Sequence, residues 1–197
     1  MLIIHHRINT ISELKNVPKK YGIEVDIRCY GKKIILNHDP HQDGEELDNF
    51  LKYYDHSFII LNIKEAGIEK EVLELVKNYG IKEYFFLDVE YPFVYKSYAN
   101  NITKNIAIRV SEIEPIDMAL LNAGRYNWIW LDVSTKIPIN KKQYNKLKNK
   151  GYKICFVCPS NLNRQDDISK YKNFLIKNKM TMDAVMTESN FVKDWEN

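Results

Sequence analysis

Short apolar runs alternate along the chain with longer segments in which apolar residues recur about every 3.6 positions. The short runs are rich in Ile, Val, Phe, Tyr and Trp, which strands favour. Several are continuously apolar, such as Phe58-Ile59-Ile60-Leu61, and this is typical of parallel strands that are covered on both faces. The pattern predicts strands at residues 2–6, 22–29, 33–37, 58–64, 84–89, 106–110, 128–133, 153–158 and 184–187.

The longer segments between these runs predict helices. In residues 68–79 the apolar positions follow the helical period, and Gly80 stands where a helix stop is expected. Pro92 and Pro115 suit the first turns of two further helices. The predicted helices cover residues 10–20, 45–54, 68–79, 92–100, 115–122, 140–150 and 167–179.

The alternation of strands and helices predicts an α/β fold with a parallel sheet. Eight strand–helix units remain if residues 33–37 are an excursion after the second strand, and eight units predict a (β/α)₈ TIM barrel. The chain of 197 residues is short for this fold, which typically needs about 250, so we expect a compact barrel forming a single domain over residues 1–197. A doubly wound open sheet is the alternative.

Composition narrows the class of protein. With 45% hydrophobic and 28% charged residues, the chain is globular rather than disordered. No apolar run approaches the roughly 20 residues of a membrane span, and His5 interrupts the N-terminal run too early for a signal peptide. We therefore expect a cytoplasmic protein without a membrane span. The net charge is only +3 and no basic stripe with interleaved aromatics occurs, so we expect no nucleic-acid partner. The oligomeric state is left open.

Pairs of polar residues, two positions apart, stand where the predicted strands end. Spacing by two places both members of a pair on one face of a strand. At the C-terminal mouth of a barrel that face is the interior, where active sites of this fold lie. The pairs, which predict one shared polar pocket, are Glu24/Asp26, Asn62/Lys64, Asp88/Glu90, Arg109/Ser111 and Asp132/Ser134.

The residue types in and around these pairs suit phosphodiester chemistry. Two histidines, His6 and His38, end strand-like runs, and imidazole both takes and gives a proton near neutral pH. Glu24 and Asp26 offer the hard oxygen ligands that Mg²⁺ or Ca²⁺ prefers. Phosphodiester cleavage needs acid–base groups and positive charge on the phosphoryl oxygens. Positive charge for an anion is available from Arg7, Lys64 and Arg109.

The order of these motifs resembles the glycerophosphodiester phosphodiesterases. That family opens with His-Arg-Gly, continues with Glu-x-Asp and His-Asp, and has Glu-x-Lys on its third strand. The matching residues here are His6-Arg7, Glu24-Val25-Asp26, His38-Asp39, Asn62-Ile63-Lys64 and, for the last strand, Thr187-Glu188. The resemblance covers most of the chain by strand order, but its specific motifs lie in residues 5–64. It implies a phosphodiesterase-type barrel acting on a small soluble phosphodiester.

The resemblance also implies roles for individual residues. His6 and His38 become the acid–base pair, and Glu24 and Asp26 become ligands of a divalent cation, Mg²⁺ or Ca²⁺. Arg7 contacts the phosphate, with Lys64 near it.

Two departures from the family pattern matter. The glycine after His-Arg is Ile8, so a differently shaped first loop is expected. The third acidic ligand is Asn62, whose neutral amide should weaken cation binding. Asp88 on the next strand is an alternative ligand, and Asp132 is a more distant one.

These departures leave three readings open. In the first, Asp88 completes the metal site. In the second, the protein is a phosphodiesterase that works with a weakly bound cation or with none, and in the metal-independent case it is a lyase that forms a cyclic phosphate. In the third reading, the barrel only binds a phosphorylated metabolite and has no activity. Retention of both histidines and of Glu-x-Asp favours an enzyme.

Overall fold

The computed structural model describes residues 1–99 and 103–196 and divides the chain into two compact units. The first unit is Ile4–Ile102, and the second combines Met1–Ile3 with Thr103–Asn197. Asn100, the expected end of the fourth helix, and Asn197 lie outside the described residues. The expectation of a single domain over residues 1–197 stays a prediction.

All nine predicted strands are present, and their ends lie within two residues of the predicted ones. One further strand, of two residues, was not predicted, because it is too short to show a period. The strands are β1 (Leu2–His5), β2 (Gly22–Tyr30), β3 (Lys33–Leu36), β4 (Glu45–Glu46), β5 (Phe58–Ile63), β6 (Tyr84–Leu87), β7 (Ala107–Val110), β8 (Trp128–Leu131), β9 (Lys153–Val157) and β10 (Ala184–Thr187).

The seven predicted helices are also present, six of them shorter than expected, and a short helix near the C-terminus was missed. The first ends at Asn16 instead of residue 20, because Val17 precedes Pro18 and a residue before proline avoids the helical region. The helices are α1 (Ile11–Asn16), α2 (Leu47–Leu51), α3 (Glu69–Asn78), α4 (Tyr91–Ala99), α5 (Asp117–Leu121), α6 (Lys141–Asn149), α7 (Ile168–Lys177) and α8 (Val192–Trp195). None of the helices within residues 1–99 and 103–196 has the length and apolar character needed to cross a membrane.

The first unit is built on β2, which pairs in parallel with β1 and with β5, while β5 pairs in parallel with β6. The expected excursion after β2 is confirmed: β3 turns back and pairs antiparallel with residues 27–30, and β4 adds to its edge. All six residues of β5 are buried, as the continuous apolar run predicted. The register sets Asp26 of β2 opposite Asn62 of β5, so these two polar residues lie at the same level of the sheet.

The second unit contains four consecutive parallel strands in the order β7-β8-β9-β10. Helices α5, α6 and α7 lie between them in the chain. The strands β8 and β10 are buried along their whole length, which again agrees with their continuous apolar sequences.

Helix α1 begins directly after the loop that follows β1, and its start is fixed by Thr10. The Thr10 hydroxyl accepts a hydrogen bond from the Glu13 amide, and the Glu13 carboxylate accepts one from the Thr10 amide. Loss of such a cap leaves a helical N–H without a partner. We therefore expect Thr10→Ala to lower the free energy of unfolding by about 1 kcal/mol in urea titrations. Thr10→Ser should retain most of the stability, and an unchanged midpoint for Thr10→Ala would contradict the role of the cap.

Candidate active site

Two carboxylates lie side by side in the first unit, on the same face of β2. Glu24 and Asp26 each expose only 1% of their surface. Both were predicted to face one pocket because they are two residues apart on a strand. Burying two charged groups is costly unless hydrogen bonds and opposite charges compensate them.

Groups of the chain itself supply this compensation at all four carboxylate oxygens. The Glu24 oxygens accept hydrogen bonds from Asn62 Nδ2 (2.8 Å) and from the Arg7 backbone amide (2.8 Å). Asp26 Oδ1 lies 3.4 Å from Asn62 Nδ2 and 3.4 Å from Lys64 Nζ. Asp26 Oδ2 accepts a hydrogen bond from Asn9 Nδ2 at 3.0 Å. The pair is therefore fully engaged by donors, two of them side-chain amides.

The pKa of Glu24 is nevertheless raised above its ordinary value. Burial is the main cause, since it disfavours the charged form, and the neighbouring charge of Asp26 adds to it. His6 and the hydrogen bonds from Asn62 and Arg7 act in the opposite direction. Because the pKa of Glu24 is raised, ionisation of Glu24 lowers the free energy of unfolding.

This cost predicts how stability depends on pH. Because the folded pKa of Glu24 lies above the unfolded one, folding takes up a proton between the two values, and stability falls as the pH rises from about 4.3 through the folded pKa. Glutamine does not titrate, so we expect the stability of Glu24→Gln relative to the parent, measured in EDTA, to increase as the pH rises from about 4.3 through the folded pKa of Glu24. Urea unfolding at several pH values measures the difference. The exposed Glu74→Gln is the control, and a parallel pH profile for parent and Glu24→Gln would contradict the assignment.

The loop after β1 wraps around Glu24. The Arg7 amide donates to the Glu24 side chain, and the Ile8 amide donates to the Glu24 backbone carbonyl at 2.8 Å. Arg7 has a φ of 54°, a left-handed conformation that non-glycine residues adopt at a cost. Ile8, which replaces the family glycine, is buried. The loop is thus held by contacts with Glu24, while the Arg7 side chain remains 48% exposed with its Nε 4.0 Å from Asp26 Oδ2.

Lys64 links two of the predicted metal ligands. Its Nζ lies 3.4 Å from Asp26 Oδ1 and 3.9 Å from Asp88 Oδ2, and its side chain keeps 19% exposure. Asp88 follows β6 directly and has a left-handed φ of 57°. Asp88 thus contacts the site through Lys64, while Asn62 contacts both carboxylates directly. The choice between Asn62 and Asp88 as a cation ligand stays a prediction.

His38 lies at the end of the β3 excursion and is oriented by an acidic neighbour. Its Nδ1 lies 2.8 Å from Asp39 Oδ1, and the hydrogen bond from His38 is the main reason why the pKa of Asp39 is lowered. An ionised carboxylate only accepts hydrogen bonds, so Nδ1 is the donor to Asp39 and Nε2 is the ring nitrogen that does not take part in this contact. The imidazole exposes 41% of its surface, which leaves it accessible to a substrate.

Arg28 connects the His38 segment with the Lys64 segment. Its Nε donates to the His38 carbonyl at 3.1 Å, and its Nη1 donates to the Lys64 carbonyl at 3.0 Å. The chain after β3 is thereby joined to the chain after β5. A planar guanidinium suits this bridge because its donors keep a fixed geometry.

His5 is the last residue of β1, and His6 follows it directly. His6 partly offsets the rise in the pKa of Glu24. His5 is buried, with its ring 5.1 Å from the ring of Tyr21. The role of His6 in proton transfer stays a prediction.

Arg109 belongs to the second unit and has partners there. It forms an ion pair with Asp132, and its Nε lies 3.8 Å from Glu114 Oε2. Within the first unit, contacts join five of the predicted polar residues: Glu24, Asp26, Asn62, Lys64 and Asp88. Within the second unit, an ion pair joins Arg109 and Asp132. The single shared pocket stays a prediction. The role of Arg109 in phosphate binding stays a prediction.

Three residues of the site were missed from the sequence. Asn9 both donates to Asp26 and accepts from its backbone amide at 2.8 Å. Arg28 continues the alternation of Glu24 and Asp26, so strand parity could have found it. Asp39 was part of a recognised motif but received no role. No sequence signal points to Asn9, because it stands in a loop.

The residues present partly fit the divalent cation that the sequence suggested. In the part of the chain that the structure describes, no three His, Cys, Asp or Glu side chains converge to hold a metal ion. Within residues 1–99 and 103–196, Glu24 and Asp26 are the acidic pair, and the Asn62 Nδ2 contacts both of them while its buried Oδ1 has no hydrogen-bond partner there. Two carboxylates and an amide oxygen are hard ligands of the type that Mg²⁺ and Ca²⁺ accept. The donor set therefore fits a weakly held cation.

Comparison with solved structures identifies the fold class. A glycerophosphoryl diester phosphodiesterase from Parabacteroides distasonis superposes with a TM-score of 0.67 and 13% sequence identity, covering 98% of this chain and 85% of its own. A glycerophosphodiester phosphodiesterase from Agrobacterium tumefaciens gives a TM-score of 0.64 at 13% identity, covering 95% of this chain and 97% of its own. No protein-family model matches the sequence, and no curated protein matches it.

The chain has the fold of the glycerophosphodiester phosphodiesterases, which are TIM barrels. The α/β barrel class predicted from the strand order is thus confirmed, and so is the resemblance, at the level of the fold. Because a fold hosts many activities, function has to be argued from the site.

Proposed function

We propose that this protein is a phosphoric diester hydrolase that cleaves a small soluble phosphodiester linked to glycerol or a sugar. The observation that carries the proposal is the buried Glu24/Asp26 pair, with Lys64 Nζ 3.4 Å and Arg7 Nε 4.0 Å from the Asp26 carboxylate. The shared fold with glycerophosphodiester phosphodiesterases supports the same reaction class.

Two histidines with different surroundings supply the proton transfers. His38 has its Nδ1 proton directed at Asp39, so its Nε2 can accept a proton from the attacking hydroxyl. His6 follows β1, on the chain segment that leads into the loop around Glu24, and is assigned the transfer of a proton to the leaving alkoxide. One base and one acid are what a displacement at phosphorus requires.

Positive charge stabilises the phosphoryl group in the transition state. Lys64 offers a compact ammonium at the acidic pair, and the half-exposed guanidinium of Arg7 can form paired hydrogen bonds to phosphate oxygens. A divalent cation on Glu24, Asp26 and the Asn62 amide oxygen would add Lewis-acid polarisation of a phosphoryl oxygen. The side chains of this site are therefore assigned to phosphate binding and proton transfer.

A panel of soluble phosphodiesters, monitored by phosphorus NMR with EDTA, Mg²⁺ or Ca²⁺, tests the proposal. We expect a phosphomonoester product from at least one glycerol- or sugar-linked substrate. A transient cyclic phosphate would show that a substrate hydroxyl attacks rather than water. No turnover of any substrate under any condition, together with saturable binding of a phosphorylated ligand, would replace the proposal with a non-catalytic binding role.

A further inference from the structure

The amide of Asn62 is oriented for a site without a cation. Its Nδ2 reaches Glu24 Oε1 at 2.8 Å and Asp26 Oδ1 at 3.4 Å, and a carboxylate can only accept. The nitrogen is thus the end that faces the acidic pair. The opposite end, Oδ1, is buried, and no group among the described residues forms a hydrogen bond with it; Asn62 exposes only 6% of its surface.

This orientation leaves one polar atom uncompensated, which is uncommon in a folded interior. Turning the amide by half a rotation would direct Oδ1 at the carboxylates, where it would be repelled unless a positive charge stood between them. The terminal torsion of asparagine has a broad, roughly two-fold profile, so both orientations are accessible to the side chain. The turn breaks the hydrogen bonds of Nδ2 to Glu24 and Asp26, so it becomes favourable only when a bound cation offsets their loss.

We propose that Asn62 has two positions: its amide nitrogen bridges Glu24 and Asp26 in the absence of a divalent cation, and its amide oxygen becomes a ligand when a cation binds. The proposal deepens the proposed function and rests on its assignment of Glu24, Asp26 and Asn62 as the cation ligands. The turn satisfies Oδ1 and removes an N–H group that would otherwise face the cation.

As a consequence, a divalent cation binds only when it replaces the contacts that the carboxylates make in its absence. Binding has to break the hydrogen bonds from Asn62 and has to compete with the ammonium of Lys64, 3.4 Å from Asp26. With only two charged ligands, we expect a dissociation constant on the order of 1 mM, since affinity for Ca²⁺ depends on the number of charged ligands and the rigidity of the site. The cation can therefore dissociate again, because Asn62 and Lys64 stabilise the two carboxylates when no cation is bound.

Calorimetry on the full chain, stripped with EDTA and titrated with CaCl₂ or MgCl₂, tests the ligand role. We expect Asn62→Asp to bind at least tenfold more tightly than the parent, because it adds a charged ligand and removes the N–H donor. Asn62→Leu, similar in size, should lose binding. Asn49→Asp on the exposed face of α2 adds the same charge elsewhere and should leave the affinity unchanged.

The rotation itself is followed by NMR of the Asn62 side-chain amide, assigned by its absence in Asn62→Asp. We expect its proton signals to shift upfield along the same titration curve as the heat, as the hydrogen bonds to the carboxylates break. The proposal is overturned if the parent binds no cation at 20-fold the expected constant, if Asn62→Leu binds like the parent, or if the amide signals stay in place while the cation binds. No phosphodiester is used, so these outcomes are independent of whether cleavage is observed.

Discussion

Replacing His38 with alanine is expected to lower kcat by about 10²–10⁴-fold, the usual contribution of a positioned acid–base group. The reason is the contact between His38 Nδ1 and Asp39, which fixes the tautomer and leaves Nε2 as the base. The substrate identified in the phosphorus NMR panel is used for the measurement. The imidazole is 41% exposed, so its removal should change the urea midpoint little.

Two matched variants make the result interpretable. His41→Ala removes an exposed histidine three residues away and should retain the parental rate. Asp39→Asn should lower kcat by an intermediate factor, because it weakens the orientation of His38 without removing the base. A parental rate for His38→Ala would refute its role as the base, and an equal loss in His41→Ala would point to the loop rather than to the imidazole.

Replacing Lys64 with methionine is expected to affect both stability and catalysis. Asp26 would lose the cation at 3.4 Å while it remains buried. Removing one partner of a fully buried ion pair costs roughly 3–5 kcal/mol. Asn9 and Arg7 would still contact Asp26 in the variant. We therefore expect the free energy of unfolding to fall by a smaller amount, about 2 kcal/mol. Loss of a charge at the phosphoryl group should lower kcat/KM by about 10²-fold.

Urea titrations and steady-state kinetics on the same preparations separate these effects. Lys64→Arg keeps the charge and should recover most of the stability, but its planar head group should recover less of the activity. Lys32→Met, in the exposed turn between β2 and β3, is the control for loss of a lysine. A Lys64→Met protein as stable and as active as the parent would mean that the ion pair with Asp26 has no energetic role.

The candidate site could be predicted to the extent that it follows strand parity and strand order. Glu24, Asp26, Asn62 and Lys64 were selected because they alternate at strand ends, and the pairing of β2 with β5 brings all four together. Asn9 lies in a loop, where side-chain direction has no period, so no pattern indicates that it contacts Asp26. The bridge from Arg28 to the carbonyls of His38 and Lys64 depends on how two loops approach each other, which local sequence does not encode.

Element ends were less predictable than element types. The helix after β1 stops at Asn16 because Pro18 limits the residue before it, whereas the predicted helix extended to residue 20. The strand β4 has only two residues and exists because β3 provides a partner for it. Periodicity detects neither effect, since one is a steric property of a single residue and the other is a tertiary pairing.

The sequence by itself determined the alternation of strands and helices, the burial of β5 and the face of β2 that carries the acids, because period and hydrophobicity are local properties of the chain. Only the tertiary structure decided which ends of the side chains meet. It showed that the Asn62 nitrogen rather than its oxygen faces the carboxylates, that Lys64 lies between Asp26 and Asp88, and that the left-handed residue of the first loop is Arg7. These choices depend on the balance of buried charge and hydrogen bonds among residues distant in the chain.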